Sequence, residues 1–232
     1  MEQKIDYRSY EPSGAFERPK ESIEWTHFYA FNTGDESHPR VLLIGDSICN
    51  GYQGFLREKL DGKANVSFWI SSKCVTSPGY FMELDHALED SPWSVILFNN
   101  GLHSLSTPDD AWEKAFRAAL TFISAKCPGV PLAVVNSTPL ADPEKTKKAA
   151  ELNAITARVA EELGLPLIDF FTPMDALDRK TEWIDVFHFK DAARERQAAI
   201  AESFILKTLK MENAVRAYRT QGSETGPDGA IR

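Results

Sequence analysis

Two short motifs at opposite ends of the chain carry the residue types that nucleophilic acyl chemistry needs. Gly45-Asp46-Ser47 follows the apolar run Val41-Leu42-Leu43-Ile44 and precedes Ile48-Cys49-Asn50-Gly51-Tyr52, which enters a helical stretch. A serine at such a junction presents its hydroxyl at a helix N-terminus, where backbone N–H groups without an intrahelical partner can stabilise a developing oxyanion. Near the other end stands Asp185-Val186-Phe187-His188. An Asp three residues ahead of a His can fold back and orient the imidazole through one ring nitrogen, leaving the other to reach a nucleophile. Alone, each motif also has a structural reading: Ser47 as a helix N-cap beside a turn residue Asp46, and His188 as a partly buried polar residue at a helix start. The order Ser, Asp, His in separate segments at one edge of a sheet is harder to obtain by accident.

The elements that must position these residues are legible from Arg40 onward, where short apolar runs alternate with stretches of helical period. The runs are 41–44, 66–70, 95–98, 132–135 and 167–168, and they predict five strands. Helical period predicts helices near 50–60, 80–89, 109–126, 144–163 and 191–210. Within 109–126, Trp112, Phe116, Ala119, Leu120 and Ile123 recur at spacings of three and four, an apolar stripe suited to facing a sheet. Apolar strands separated by helices predict a doubly wound α/β domain, a parallel sheet covered on both faces. Its working residues belong on loops at the carboxyl ends of the strands. Residues 1–39 read as an irregular aromatic arm packed on this core, with Glu21 to Phe31 as the docking segment, residues 40–210 as the domain, and 211–232 as a flexible C-terminal tail.

With both motifs in these places, the sequence resembles the SGNH or GDSL hydrolases over about residues 40–210. The nucleophile of that family lies in a Gly-Asp-Ser motif after the first strand, and its Asp and His form an Asp-x-x-His motif near the C-terminus. The resemblance implies a flavodoxin-like three-layer α/β/α fold and a serine esterase with Ser47, His188 and Asp185 as triad, requiring neither cofactor nor metal. It also locates two departures. After the third strand the family has Gly-x-Asn-Asp, whose Asn donates to the oxyanion, where this chain reads Asn99-Asn100-Gly101-Leu102-His103-Ser104. Aligning Gly101 puts His103 in the donor's place, with Asn100 as the competing donor. After the second strand the family supplies a Gly backbone N–H, and the best register puts Cys74 there. The implied substrates are small-molecule esters with short acyl groups, O-acetyl carbohydrates among them; the alternative is a binding protein that keeps the fold without the activity.

Composition narrows the function classes. The chain has 232 residues, 43% hydrophobic and 26% charged, which fits one decorated globular domain. A formal net charge of -8 offers no footprint for nucleic acid. No apolar run reaches the about 18 residues of a membrane span. Cys49, Cys74 and Cys127 form neither a CxxC pair nor a disulfide framework, and Met1 to Asp6 is acidic where a signal peptide is basic, so the expected location is the cytoplasm. A nucleotide-binding role finds no support in the first strand-to-helix turn, which lacks both G-x-G-x-x-G and the P-loop Lys.

Overall fold

The computed structural model describes residues 5–12 and 19–223, with side chains described as far as Met211. Five parallel strands form where the apolar runs predict them: β2 (Arg40–Gly45), β3 (Asn65–Ser71), β4 (Val95–Phe98), β5 (Leu132–Val135) and β6 (Leu167–Ile168). A sixth strand, β1 (Thr26–Tyr29), comes from the arm and pairs antiparallel with β3 at the sheet edge. The order across the sheet is β1-β3-β2-β4-β5-β6. The parallel sheet is thus the expected flavodoxin-like three-layer core, and the arm is more ordered than its composition indicated.

Because β2 to β4 are buried along their whole length, successive side chains feed opposite cores. Val41 and Leu43 face α1 (Ser47–Lys59) and α7 (Asp191–Ser223), whose buried Ala193, Ala198 and Ala201 let the two helices approach closely. Leu42 and Ile44 face α2 (Tyr80–Glu89), α3 (Asp109–Lys126) and α4 (Pro143–Glu162). All five stripe residues of α3, from Trp112 to Ile123, are buried there. Burying such side chains at roughly 25 cal/mol per Å² of apolar area drives the layers together. Two one-turn helices, α5 (Phe171–Asp175) and α6 (Arg179–Glu182), lead into the segment of Asp185 and His188.

The arm is pinned from below. Buried Arg40 donates to the carbonyl oxygens of Phe31, Asn32 and Asp35, at 3.2, 2.7 and 3.0 Å. The Asp35 carboxylate accepts from the Ser37 hydroxyl, the Asn65 amide and the Ser37 backbone, and bonds the His38 ring. These bonds, that of the Ser37 hydroxyl foremost, hold the Asp35 carboxyl well below the usual carboxylate range. At the other end of the chain, α7 runs on to Ser223, well past the helix end expected near residue 210; the expected tail is therefore helix as far as 223, and 224–232 lie outside the described residues. Among the described residues no helix is long and apolar enough to cross a membrane.

Strand order reverses at β2, which pairs with β3 on one side and β4 on the other. In a parallel sheet such a reversal opens a crevice beyond the carboxyl ends of the strands. Gly45-Asp46-Ser47 stands at its mouth.

Candidate active site

Asp46, rather than Ser47, caps α1: its extended backbone (φ -128°, ψ -154°) places Oδ1 to accept from the Ile48 N–H at 2.9 Å. Ser47 is therefore the first helical residue, with its side chain released from capping and its own N–H without an acceptor inside the helix. Gly45 permits the tight exit from β2, since a Cβ there would come within 2.7 Å of Cys49 Cβ. Such an approach is closer than packed carbon atoms tolerate.

Asp185 and His188 lie in a loop closed at its base by a bridge between Trp183 and Phe189, whose rings are 4.5 Å apart. The Ile184 N–H donates to His188 O at 2.8 Å and holds the loop folded. Inside it, Asp185 Oδ1 accepts from the backbone N–H groups of Phe187 and His188, both at 2.8 Å. Asp185 Oδ2 meets His188 Nδ1 at 2.7 Å, and His188 Nε2 meets Ser47 Oγ at 2.8 Å. The carboxylate only accepts, so Nδ1 carries a proton, and the neutral ring turns the Nε2 lone pair toward the Ser47 hydroxyl. Partial burial pushes the Asp185 carboxyl up, but the hydrogen bonds from the His188 ring and the two backbone N–H groups outweigh it and leave the group below its ordinary value. Asp185 is thus an anion at neutral pH, suited to holding an imidazolium.

Ser47 and His188 line a cleft with Gly51, Phe189, Arg194 and Gln197, which offers about 10 Å³ of space, room for one water. Gln197 is 1% exposed, and neither end of its carboxamide finds a partner among the described residues. A second cleft beside α1, lined by Ile48, Asn99, Leu102, Ser137 and Thr138 among others, is equally small.

The loops after β3 and β4 use their polar groups on each other. Asn100 is buried; its Oδ1 accepts from the Val75 N–H at 3.1 Å and the Ser104 hydroxyl at 3.2 Å, and its Nδ2 donates to Lys73 O at 3.0 Å. Asn100 is in this way a tie between the two loops. The expectation that the Cys74 N–H faces a reacting carbonyl does not fit the geometry, because that N–H donates to Ser77 Oγ at 3.2 Å. Gly101 is dictated by close approach: a Cβ there would lie 1.8 Å from Ser137 Oγ.

His103 joins the arm. Its Nδ1 meets Glu21 Oε1 at 2.6 Å, and Trp25 packs edge-on against its ring with centroids 6.1 Å apart. With Glu21 ionised, Nδ1 holds a proton in either charge state, so Nε2 donates only when the ring is charged and accepts when it is neutral. That constraint bears directly on the oxyanion role expected of His103, and the sequence held no sign of it.

Neither thiol near the serine is set up as a nucleophile. Burial pushes the Cys49 thiol far up, and the Cys74 sulfur is buried among the hydroxyls of Ser104 and Thr76, at 3.0 and 3.2 Å. No group of three or more His, Cys, Asp or Glu side chains among the described residues is arranged to hold a metal ion.

No family model and no curated protein sequence matches the chain. Solved structures do. The chain is similar to the acetyl xylan esterase AlAXEase, with TM-score 0.63 and 14% identity over 72% of this chain and 99% of that one. It is also similar to a member of the lipolytic protein G-D-S-L family from Veillonella parvula (TM-score 0.58, 19% identity, 71% of this chain and 96% of that one). An acetylxylan esterase from Geobacillus stearothermophilus superposes with TM-score 0.56 at 12% identity, over 73% of this chain and 93% of that one. The chain has the fold of the SGNH/GDSL hydrolases.

Proposed function

We propose that this chain is a serine ester hydrolase that removes short acyl groups, O-acetyl groups on carbohydrates foremost, through an acyl-enzyme on Ser47. The observation that carries the proposal is the continuous relay from Ser47 Oγ to His188 Nε2 at 2.8 Å and from His188 Nδ1 to Asp185 Oδ2 at 2.7 Å. It comprises a nucleophile, a base in the correct tautomer and an anion to hold it.

In this mechanism Ser47 Oγ attacks the ester carbonyl carbon as its proton passes to His188 Nε2. The carbonyl electrons move onto oxygen, where the Ser47 N–H and the N-terminal end of α1 stabilise the charge. Collapse expels the alcohol oxygen, which takes the proton from His188. Water then attacks the acyl-enzyme, giving a proton to His188, and the second collapse returns that proton to Ser47 and frees the acid. With Nδ1 bonded to Glu21, His103 Nε2 is placed to accept a hydrogen bond from a hydroxyl of the alcohol portion, a role that contact favours over donation to the oxyanion.

The acyl preference rests on space. Clefts lined by Ser47 or Ile48 with about 10 Å³ each have no room for a long chain. The two acetylxylan esterases among the similar structures point the same way. The test is a series of p-nitrophenyl esters: the expected result is saturable turnover with kcat/KM highest for acetate and falling by at least about tenfold toward octanoate, the scale of losing a well-fitted contact. A rise in kcat/KM with acyl length would overturn the acyl assignment, and no turnover of any ester would overturn the hydrolase reading.

A further inference from the structure

We propose that Gln197 is a positioning residue for the second half of the reaction: its buried carboxamide holds, in the seam between α1 and α7, the water that hydrolyses the acyl-enzyme on Ser47. The proposal deepens the ester-hydrolase reading and rests on it for the acyl-enzyme.

Helical spacing sets the seam. On α1, Ser47 and Gly51 are four residues apart and lie one above the other on a single face. On α7, Ala193, Gln197 and Ala201 follow at the same interval, and all three are buried. Between the two alanines stands a glutamine where a buried stripe calls for an apolar side chain. Opposite it, Gly51 keeps the seam open: a Cβ there would stand 3.3 Å from Arg194 Nε, and Arg194 Nη1 in turn donates to Asp191 Oδ1 at 3.0 Å.

Packing does not account for Gln197. The residue is 1% exposed, and neither Oε1 nor Nε2 has a protein partner among the described residues. The other buried side chains in that condition leave one atom unpaired each, whereas Gln197 leaves an acceptor and a donor. Burying a carboxamide without hydrogen bonds is costly, and methionine would fill the same length without that cost. Whatever satisfies the carboxamide must be small and able both to give and to accept a hydrogen bond. The cleft that Gln197 lines with Ser47, Gly51 and His188 offers about 10 Å³, the room of one water.

Position gives that water a task. Ser47 and His188 line the same cleft, so a water in it is beside both the oxygen that carries the acyl group and the ring that must take the proton. Before acylation His188 Nε2 is engaged by Ser47 Oγ at 2.8 Å. Once esterified, that oxygen has no proton to give, and the Nε2 lone pair is free for the water. The water oxygen bonds to the acyl carbon as one proton passes to Nε2 and the carbonyl electrons move onto oxygen. Collapse then breaks the bond to Ser47 Oγ, which takes the proton back from His188. Gln197 Oε1 accepts the second hydrogen of the water and so aims its lone pair at the carbon.

The test is product partition with p-nitrophenyl acetate in the presence of methanol, which competes with water for the acyl-enzyme and is too large for a one-water cleft. The ratio of methyl acetate to acetate reports the fate of the acyl-enzyme alone, whichever step limits turnover. Gln197→Met keeps the length of the side chain and removes both strong hydrogen-bonding groups. It is expected to raise that ratio about tenfold or more, while kcat/KM for p-nitrophenyl acetate, which is fixed at acylation, keeps its wild-type value. Gly51→Ala narrows the seam from the other helix and should move the ratio the same way; alanine suits a helix interior, so this variant carries the decision if Gln197→Met does not fold. An unchanged ratio would overturn the proposal and leave the water a filler of the seam. So would a fall in kcat/KM without a change in the ratio, the mark of a disturbed triad. If the wild-type protein releases no p-nitrophenolate, the ester-hydrolase reading falls and this proposal with it, whereas an unmoved ratio in an active enzyme removes this proposal alone.

Discussion

Ser47→Ala is expected to lower kcat for p-nitrophenyl acetate by on the order of 10⁴ to 10⁶, because triad members act as a unit and the residual rate comes only from binding and oxyanion stabilisation. Steady-state kinetics on purified protein measures this. The same substitution leaves the fold nearly untouched. Ser47 is the first residue of α1 and Asp46 is its cap, so alanine removes a single hydrogen bond to His188, worth about 1 kcal/mol, from a position where alanine is a good helix former. The melting temperature should move by about 4 °C or less. An active Ser47→Ala protein would mean that the nucleophile lies elsewhere.

Asp185→Asn is expected to cost about 10⁴ in kcat. The amide oxygen can still accept from the Phe187 and His188 backbone N–H groups, so the loop keeps its shape. Its NH₂ then faces Nδ1, which must become the acceptor, and the proton moves to Nε2, where it blocks transfer from Ser47. The pH profile adds a check. Since Asp185 is held below the ordinary carboxylate range, it stays ionised where a free carboxyl would take up a proton, so protonation of Asp185 should add no step to the activity profile within that range. The sign for stability follows from the same depression: the contribution of Asp185 is complete above its unfolded value and is lost as pH falls through its folded value, so Asp185→Asn should flatten the acid side of a melting-temperature profile.

The sheet was legible in the sequence because β2 to β6 are apolar runs bounded by turn residues, and the helices between them keep a clear period. β1 was not. Thr26 to Tyr29 is only four residues, its single half-buried side chain is Phe28, and its pairing with β3 joins residues 39 to 45 positions apart, so its aromatics read as an irregular arm. The extension of α7 was more accessible: Met211 to Gln221 is rich in helix formers and holds no Gly or Pro, but its lack of apolar period resembles a tail.

At the site, Ser47, Asp185 and His188 could be named because each chemistry leaves a local spacing of residues. The loops between them could not be assigned, since their roles are fixed by partners distant in sequence. Cys74 presents its N–H to Ser77, Asn100 is spent between Lys73, Val75 and Ser104, and His103 is oriented by Glu21, 82 residues away. Backbone N–H direction and ring tautomer have no signature in a string of letters.

The most direct measurement of the central claim is the intact mass of the protein after incubation with a fluorophosphonate, followed by peptide mapping. A single adduct on the peptide holding Ser47, absent from Ser47→Ala and formed far more slowly by His188→Ala, is the result expected of an activated serine. No adduct in the wild-type protein, or an adduct on another residue that persists in Ser47→Ala, would contradict it and leave the fold as that of a binding protein or of a hydrolase with a different nucleophile.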